Sequence, residues 1–283
     1  MQPSSLAVAI LLAAGGGASA QTPPARPSIP AAPSFPAAPS FPAAASMPRA
    51  SADARALEIA DRVLQALGGR EAWDRTRFLR FGFGTERDGR FQGRTHVWDK
   101  WTGRYRVQGQ TREGAPFVIL MNLNTREGQA WASGQRLEGD ALKQELDRAY
   151  GMWVNDTYWL LMPYKLRDPG VSLAYAGEER GESGATYDKV KLSFDNVGLT
   201  PKDNYWVWVN RDTGLVDRWD YVLKGEDVPP TTWTWTGWKK HGGIMLASER
   251  MNAKDNRKLL LHEIAVLESV PDAVFTSPDA SMP

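Results

Sequence analysis

The sequence predicts a mainly β fold: a strongly curved antiparallel half-barrel of about ten or eleven strands with helices on its concave face. Three observations predict it. Short runs that alternate apolar and polar residues recur from residue 77 to residue 267, separated by turn residues. One long helical pattern, at Gly139–Pro163, interrupts these runs. No linker-like stretch divides the second half, so a single domain over 51–283 is expected.

The first twenty residues resemble a secretory signal. Leu6–Ala14 form a short apolar run, and Ala18–Ala20 give an A-x-A pattern, so cleavage after Ala20 is expected. The run is shorter than the ~20 residues that span a bilayer. The alternative is a short disordered start. With a signal, we expect a periplasmic protein that is not lipid-anchored, since the chain has no cysteine.

Residues 21–50 are rich in Pro and Ala and contain a tandem PSFPAA at Pro33–Ala38 and Pro39–Ala44. Such a composition cannot bury a core and favours extended, polyproline-like conformations. We interpret the segment as a disordered, semi-rigid linker that holds the folded domain away from a surface. A leader without any partner is the equal alternative.

The folded domain is predicted to begin with a helix that Ser51 or Asp53 can cap and that ends at Gly68-Gly69. Its apolar stripe consists of Leu57, Ala60, Val63, Leu64 and Leu67. The predicted strands are Arg77–Thr85, Arg104–Gly109, Phe117–Leu123, Val171–Gly177, Thr186–Phe194, Tyr205–Asn210, Leu215–Leu223, Thr231–Lys239, Gly243–Ala253 and Lys258–Leu267.

The central helical insertion is amphipathic. Asp140 is a candidate N-cap, and Pro163 stops the pattern. The apolar stripe consists of Leu142, Leu146, Ala149, Tyr150 and Trp153. A single apolar helix within a β meander can bury its face on the concave side of the curved sheet, where it would plug or close an apolar cavity.

Four stretches carry a family resemblance: ALGGREAW at Ala66–Trp73, DTYWLLMPYKLRDPGV at Asp156–Val171, VNRDTGLVDRW at Val209–Trp219 and VPDAVFTSP at Val270–Pro278. With this layout, the chain resembles the periplasmic lipoprotein-carrier (LolA-like) superfamily. The resemblance implies an open, curved sheet with helices on its concave side. It also implies that acyl chains or lipidated proteins bind in an apolar cavity and are carried across the periplasm.

The family has a functional arginine, and several residues on candidate strands compete for that place. They are Arg80, Arg94, Arg104 and Arg106. Transfer of lipoprotein cargo in particular therefore stays open.

Tryptophan is unusually frequent, with 12 in the chain, and each indole brings a large apolar area. Two interpretations remain: some rings line an acyl-binding cavity, or they pack as ordinary core. Trp206 and Trp208 compete with Tyr205, Val207 and Val209 for the inward face. The candidate cavity residues are Phe81, Phe83, Tyr105, Val107, Leu146, Tyr150, Trp153, Trp206, Trp208, Trp219, Trp233 and Trp235.

Other chemistries find little support in the sequence. The histidines, His96, His241 and His262, lie on separate strands without metal-ligand spacing, so no metal site or cofactor is expected. The GESGA stretch at 181–185 departs from a nucleophile elbow at its fifth position. The formal charge of +1, with basic and acidic residues interspersed, does not favour nucleic acid.

We therefore expect a non-enzymatic binding or carrier protein, a monomer, that holds an acyl chain, lipid or lipidated protein. Contact with an envelope protein partner and transient contact with a membrane fit this expectation. Two alternatives remain open. One is an envelope hydrolase with an unrecognised site, and the other is a structural module that docks a partner strand at the sheet edge.

Overall fold

The computed structural model describes residues 53–87, 89–181, 183–194, 203–223 and 228–283. The predicted signal and linker, and Ser51 as a cap, lie outside the described residues. The helices are α1 (Ala54–Ala66), α2 (Gly69–Arg75), α3 (Gly139–Leu161) and α4 (Ala273–Thr276). The strands are β1 (Phe78–Arg87), β2 (Arg90–Asp99), β3 (Arg104–Gln110), β4 (Pro116–Asn122), β5 (Gly128–Ala132), β6 (Gln135–Arg136), β7 (Val171–Arg180), β8 (Thr186–Phe194), β9 (Asn204–Asn210), β10 (Val216–Val222), β11 (Thr231–His241), β12 (Ile244–Asn252) and β13 (Lys258–Leu267).

The described strands form one antiparallel sheet of thirteen, more than the ten or eleven predicted. It consists of two meanders, β1–β6 and β7–β13, which α3 connects and which join where β1 pairs with β13. The additional strands are β2, β5 and β6. The sequence concealed β2 because much of it is polar, and β5 and β6 because they are very short.

The N-terminal helix begins as predicted, with Asp53 as its N-cap. The Asp53 carboxylate accepts hydrogen bonds from the backbone N–H groups of Arg55 and Ala56, and also from Tyr175 N on the edge strand β7. This last bond satisfies a donor that an open sheet edge would otherwise expose. The cap therefore fixes α1 against the sheet as well as starting the helix.

α1 ends just before the glycine pair, as predicted, and a second helix that the sequence did not indicate, α2, begins at Gly69. Gly68 has a φ of 113°, and a Cβ there would overlap the carbonyl oxygen of Gly243. Only glycine fits this close approach to the β11–β12 turn. The pair therefore makes a sharp corner between two helices.

The central helix, α3, has 23 residues and matches the predicted range. Its N-cap residue is Glu138, whose side chain makes no capping hydrogen bond, so the assignment of Asp140 as N-cap was wrong. Asp140 lies in the first turn, where its charge is favourable near the positive end of the helix dipole. A 3₁₀ turn at Met162–Lys165, containing Pro163, follows the helix.

The sheet bends around α3. Asp156 contacts Arg94 on β2, and Tyr158, two residues later, packs on Tyr205 of β9. Six strand spacings separate β2 from β9, or about 29 Å in a flat sheet. A helix is only about 10–12 Å wide with its side chains, so one turn of α3 could not contact both strands if the sheet were flat. We call the face that contacts α3 the inner face and the opposite one the outer face.

Candidate functional site

The first half of α3, residues 139–150, lies on the inner face of β3–β5 with one side only. Leu142, Leu146 and Tyr150 are partly buried there, and Ala149 is fully buried. The sheet side of this contact is apolar and consists of Tyr105, Val107, Phe117, Ile119, Met121 and Ala130. The predicted stripe is confirmed, and this half of the helix covers an apolar patch, here called the lid patch.

Polar contacts of the first half are few and lie near solvent. Asp147 pairs with Arg126 at 3.1 Å, with both side chains more than 40% exposed. Glu145 accepts from Arg148 within the helix, at 2.8 Å from its Nε. Ion pairs with such exposure contribute about 0–1 kcal/mol each. Apolar contact with the lid patch therefore supplies most of the attachment of this half.

The second half, residues 152–161, is held differently. Every side chain from Val154 to Leu161 is buried. The ring of Trp159 lies 4.8 Å from that of Trp219 and 5.1 Å from that of Trp233, between centroids. This half is surrounded by the aromatic core rather than laid upon it.

Gly151 separates the two halves. It is the only glycine in the interior of α3, where glycine costs about 1 kcal/mol relative to alanine. No atom lies within 4 Å of the place where its Cβ would be, so close packing does not require glycine here. The residue lowers the local stability of the helix at the point where the packing changes.

A buried polar network fixes the second half to the sheet. Arg94 donates from Nε and Nη2 to the two carboxylate oxygens of Asp156, at 2.6 and 2.7 Å. His96 Nε2 lies 3.0 Å from Asp156 Oδ2, without the alignment of a good hydrogen bond. On the other side of the ring, Nδ1 lies 2.7 Å from the Tyr105 hydroxyl. His96, Tyr105 and Asp156 are all fully buried.

Two opposing effects set the charge of this network. Burial works to raise the pKa of Asp156, but the charge of Arg94 and the contact with His96 outweigh it and lower that pKa below its usual range. Burial lowers the pKa of His96 in spite of the neighbouring carboxylate. The network therefore consists of a guanidinium–carboxylate pair beside a neutral imidazole.

A second arginine holds the end of the same half. Arg250 on β12 is fully buried and donates from Nη2 to the carbonyl oxygen of Trp159 at 2.6 Å. Carbonyls in the last turn of a helix have no partner within the helix, and they carry its negative end. Arg250 thus caps α3, and its guanidinium also stacks at 3.5 Å on the ring of Trp235.

Ten of the twelve predicted cavity residues fall into three groups on the inner face. Tyr105, Val107, Leu146, Tyr150 and Trp153 meet at the lid patch. Phe81 stacks on His96 and Phe83 faces Arg94, beside the buried network. Trp219, Trp233 and Trp235 are buried beneath the second half of α3, so protein side chains cover their rings.

Trp206 and Trp208 were expected among the cavity residues, but they lie on the outer face. Their neighbours Tyr205, Val207 and Val209 belong to the inner core. Trp208 donates from Nε1 to Glu179 and lies under the charged groups of Lys189 and Arg218. Both faces of β9 are apolar, so alternation could not decide between them.

Sequence reasoning found some of these residues and missed others. Arg94 was one of four candidate arginines, but Asp156 and Arg250 gave no signal, since their partners are 62 and 91 residues away. Nothing in the sequence indicated that His96 would lie beside Asp156. Among the described residues, no three His, Cys, Asp or Glu side chains are grouped as a metal ion would need. No described helix is long and apolar enough to cross a membrane.

The sequence matches no protein-family model and no curated protein. A crystal structure of a DUF1329 family protein from Desulfovibrio piger aligns with a TM-score of 0.46 and 13% identity, over 78% of this chain and 96% of that one. The MucA/MucB complex of Pseudomonas aeruginosa aligns with a TM-score of 0.24 and 15% identity, over 78% of this chain and 60% of that one. At 13% and 15% identity, these are likenesses of fold alone.

Proposed function

We propose that the protein is a non-enzymatic carrier that holds an acyl chain of a lipid or a lipidated protein between the first half of α3 and the lid patch. The observation that carries this proposal is the contrast in attachment along α3. One half rests on an apolar patch through side-chain contacts, and the other is fixed by Arg94 and Arg250. The first half is then a lid, and the second half is its anchor.

The energetics suit reversible binding. Covering ~300 Å² of acyl surface contributes about 7 kcal/mol at ~25 cal/mol per Å², before ordering costs. Cargo must replace the contacts that the lid makes with the same patch, which lowers the net affinity further. Micromolar or weaker binding follows, and this affinity suits a protein that hands its cargo to a partner in a periplasm.

The buried network supports a tethering role better than proton transfer. One nitrogen of His96 faces Asp156 and the other faces the Tyr105 hydroxyl, and Phe81 stacks on the ring at 4.5 Å. A general base needs an open approach to the proton that it removes. Hydrolase chemistry through this pair would require the anchor of α3 to leave its place.

The experiment is tryptophan quenching by a brominated fatty acid, together with mass spectrometry of lipid that copurifies with the full chain. Trp153 lies at the lid patch, with its ring 5.4 Å from that of Trp98, so bound bromine should quench both. Trp153→Phe should reduce the quenching, whereas Trp208→Phe on the outer face should leave it unchanged. Recovery of no lipid, together with no quenching, would refute the carrier.

A further inference from the structure

The outer face carries a cavity of about 420 Å³, on the other side of the sheet from the lid patch. Its floor is formed by β2, β3 and β4, and one wall by the C-terminal strap, defined as residues 270–283. Ligand pockets for small molecules occupy about 300–1,000 Å³. The cavity is therefore of a size for a small molecule and distinct from the site proposed for cargo.

Arg106 fixes the wall of this cavity. Its guanidinium donates to the carbonyl oxygens of Val274, Ser277 and Pro278 on the strap, at 2.9–3.1 Å, and its Nε donates to Gln108. Arg106 is 1% exposed. The strap adds Val274 and Phe275 to a small apolar cluster on the outer face. The wall is thus a packed part of the fold, and Arg106 lies on the floor at its base, where it also lines the cavity.

Hydrogen-bond donors converge on the cavity floor. Thr95 on β2 lies directly opposite Gln108 on β3, and Arg106 is two residues from Gln108 on the same face. Directly opposed residues have Cβ atoms about 4.5–5.5 Å apart. Among the described residues, the Thr95 hydroxyl and the Gln108 amide nitrogen donate no hydrogen bond, and Arg106 Nη2 makes only one.

No carboxylate pairs directly with the guanidinium on the floor. Among the described residues that line the cavity there is no Asp or Glu, and none of the described ion pairs within 4.0 Å involves Arg106. Burial lowers the pKa of Arg106, and the charge of Asp279 on the strap opposes this shift. Around the donors lie apolar side chains, among them Phe91, Pro116, Val118 and Met282. An anionic oxygen at the donors and an apolar body against this rim would complement the site.

We propose that the outer-face cavity binds a small amphiphilic anion, which places a carboxylate or phosphate group on Thr95, Gln108 and Arg106 and its apolar body against Phe91 and Val118. A charged group on three donors orients the ligand, and the apolar rim adds affinity. The cavity lies on the opposite face of the sheet from the lid patch, so this site is separate from the one proposed for cargo.

The test uses the full chain and isothermal titration with three matched probes: 4-phenylbutanoate, 4-phenylbutyl phosphate and the neutral 4-phenylbutan-1-ol. At least one anion should bind about tenfold tighter than the alcohol, which corresponds to about 1.4 kcal/mol. The two anions separate carboxylate from phosphate recognition. Equal binding of all three probes, or no saturable binding, would overturn the proposal.

Variants locate the binding. Thr95→Val should weaken the anion several-fold and leave the alcohol unchanged, and Val118→Trp should abolish binding of all probes by filling the half-buried floor. Thr234→Val makes the same exchange at an outer-face position of β11. It is the matched control and should leave the binding of all three probes unchanged. Anion binding that survives Val118→Trp would place the ligand elsewhere and refute the site, whatever the lipid experiment shows.

Discussion

The two halves of α3 belong to one continuous helix, yet the sheet holds them by different means. The first half buries one stripe on the lid patch, and its polar side stays in solvent. The second half is fully buried from Val154 onward and has both a carboxylate–guanidinium pair and an arginine cap. Local opening of a helix depends on its tertiary contacts as well as on its backbone hydrogen bonds, so the contrast is what the proposed lid requires.

The largest contrast is expected from truncating one apolar side chain in each half. Trp159→Ala removes a fully buried ring and should lower the free energy of unfolding by about 4 kcal/mol. Leu146→Ala removes a partly exposed side chain and should cost less than about 2 kcal/mol. Urea unfolding of both variants measures the difference. Equal losses would mean that the two halves are equally anchored.

Charge removal should show the same contrast. Asp156→Asn leaves Arg94 without its counter-charge and should lower the free energy of unfolding by about 3 kcal/mol. The reason is that the remaining guanidinium charge then lies in the low-dielectric interior without a partner. Asp147→Asn, which breaks the exposed pair with Arg126, should cost less than about 1 kcal/mol. The double variant with Arg94→Met and Asp156→Leu should recover part of the loss in urea unfolding. An Asp156→Asn loss no larger than that of Asp147→Asn would contradict the anchor.

Acid should lower the free energy of unfolding through the network that anchors the second half of α3. Burial lowers the pKa of His96. Below about pH 6.5 the unfolded chain therefore binds a proton at this ring that the folded chain does not bind. The free energy of unfolding should therefore fall as the pH falls through 6.5, with a slope of up to about 1.4 kcal/mol per pH unit. His96→Gln should reduce this slope in urea titrations between pH 7.5 and 5.5, and the remainder is expected from His241, whose pKa burial also lowers. The control His262→Gln, on the outer face against Phe91, should keep it. A slope that is unchanged in His96→Gln would exclude this ring as one of its sources.

The smallest effect is expected at the boundary. Gly151→Ala should raise the free energy of unfolding by about 0.5–1 kcal/mol, because alanine favours the helix and nothing obstructs its methyl group. If the first half opens as a lid at this point, the same variant should slow the uptake of brominated fatty acid in stopped-flow fluorescence. Higher stability with an unchanged rate of uptake would locate the hinge elsewhere.

Local patterns were enough to predict α1, α3 and ten of the strands. The apolar stripe of α3 was confirmed because its period of three and four residues is a property of neighbouring positions. The polar composition of β2 concealed it, although its inner residues Arg94 and His96 form the buried network. A strand whose inner face carries polar side chains has no apolar alternation to reveal it.

The contacts that define the site are long-range, and no local pattern encodes them. Asp156 follows Asn155 in a helix whose earlier turns are amphipathic, and nothing nearby indicates that Arg94 is its partner. Arg80, Arg104 and Arg106 were equal candidates for a functional arginine. The fold separates them from Arg94, since all three contact the C-terminal strap on the outer face.

The pairing of β1 with β13 has a consequence for how the chain acquires its structure. Phe78 and Leu267 are partners in the middle of the sheet, so the first and last strands form the seam between the two meanders. A growing chain that has not yet released β13 carries two separate sheets, each with a bare inner edge, and such edges invite aggregation. Closure over so long a sequence separation is slow. The step that completes this domain must therefore await its final strand.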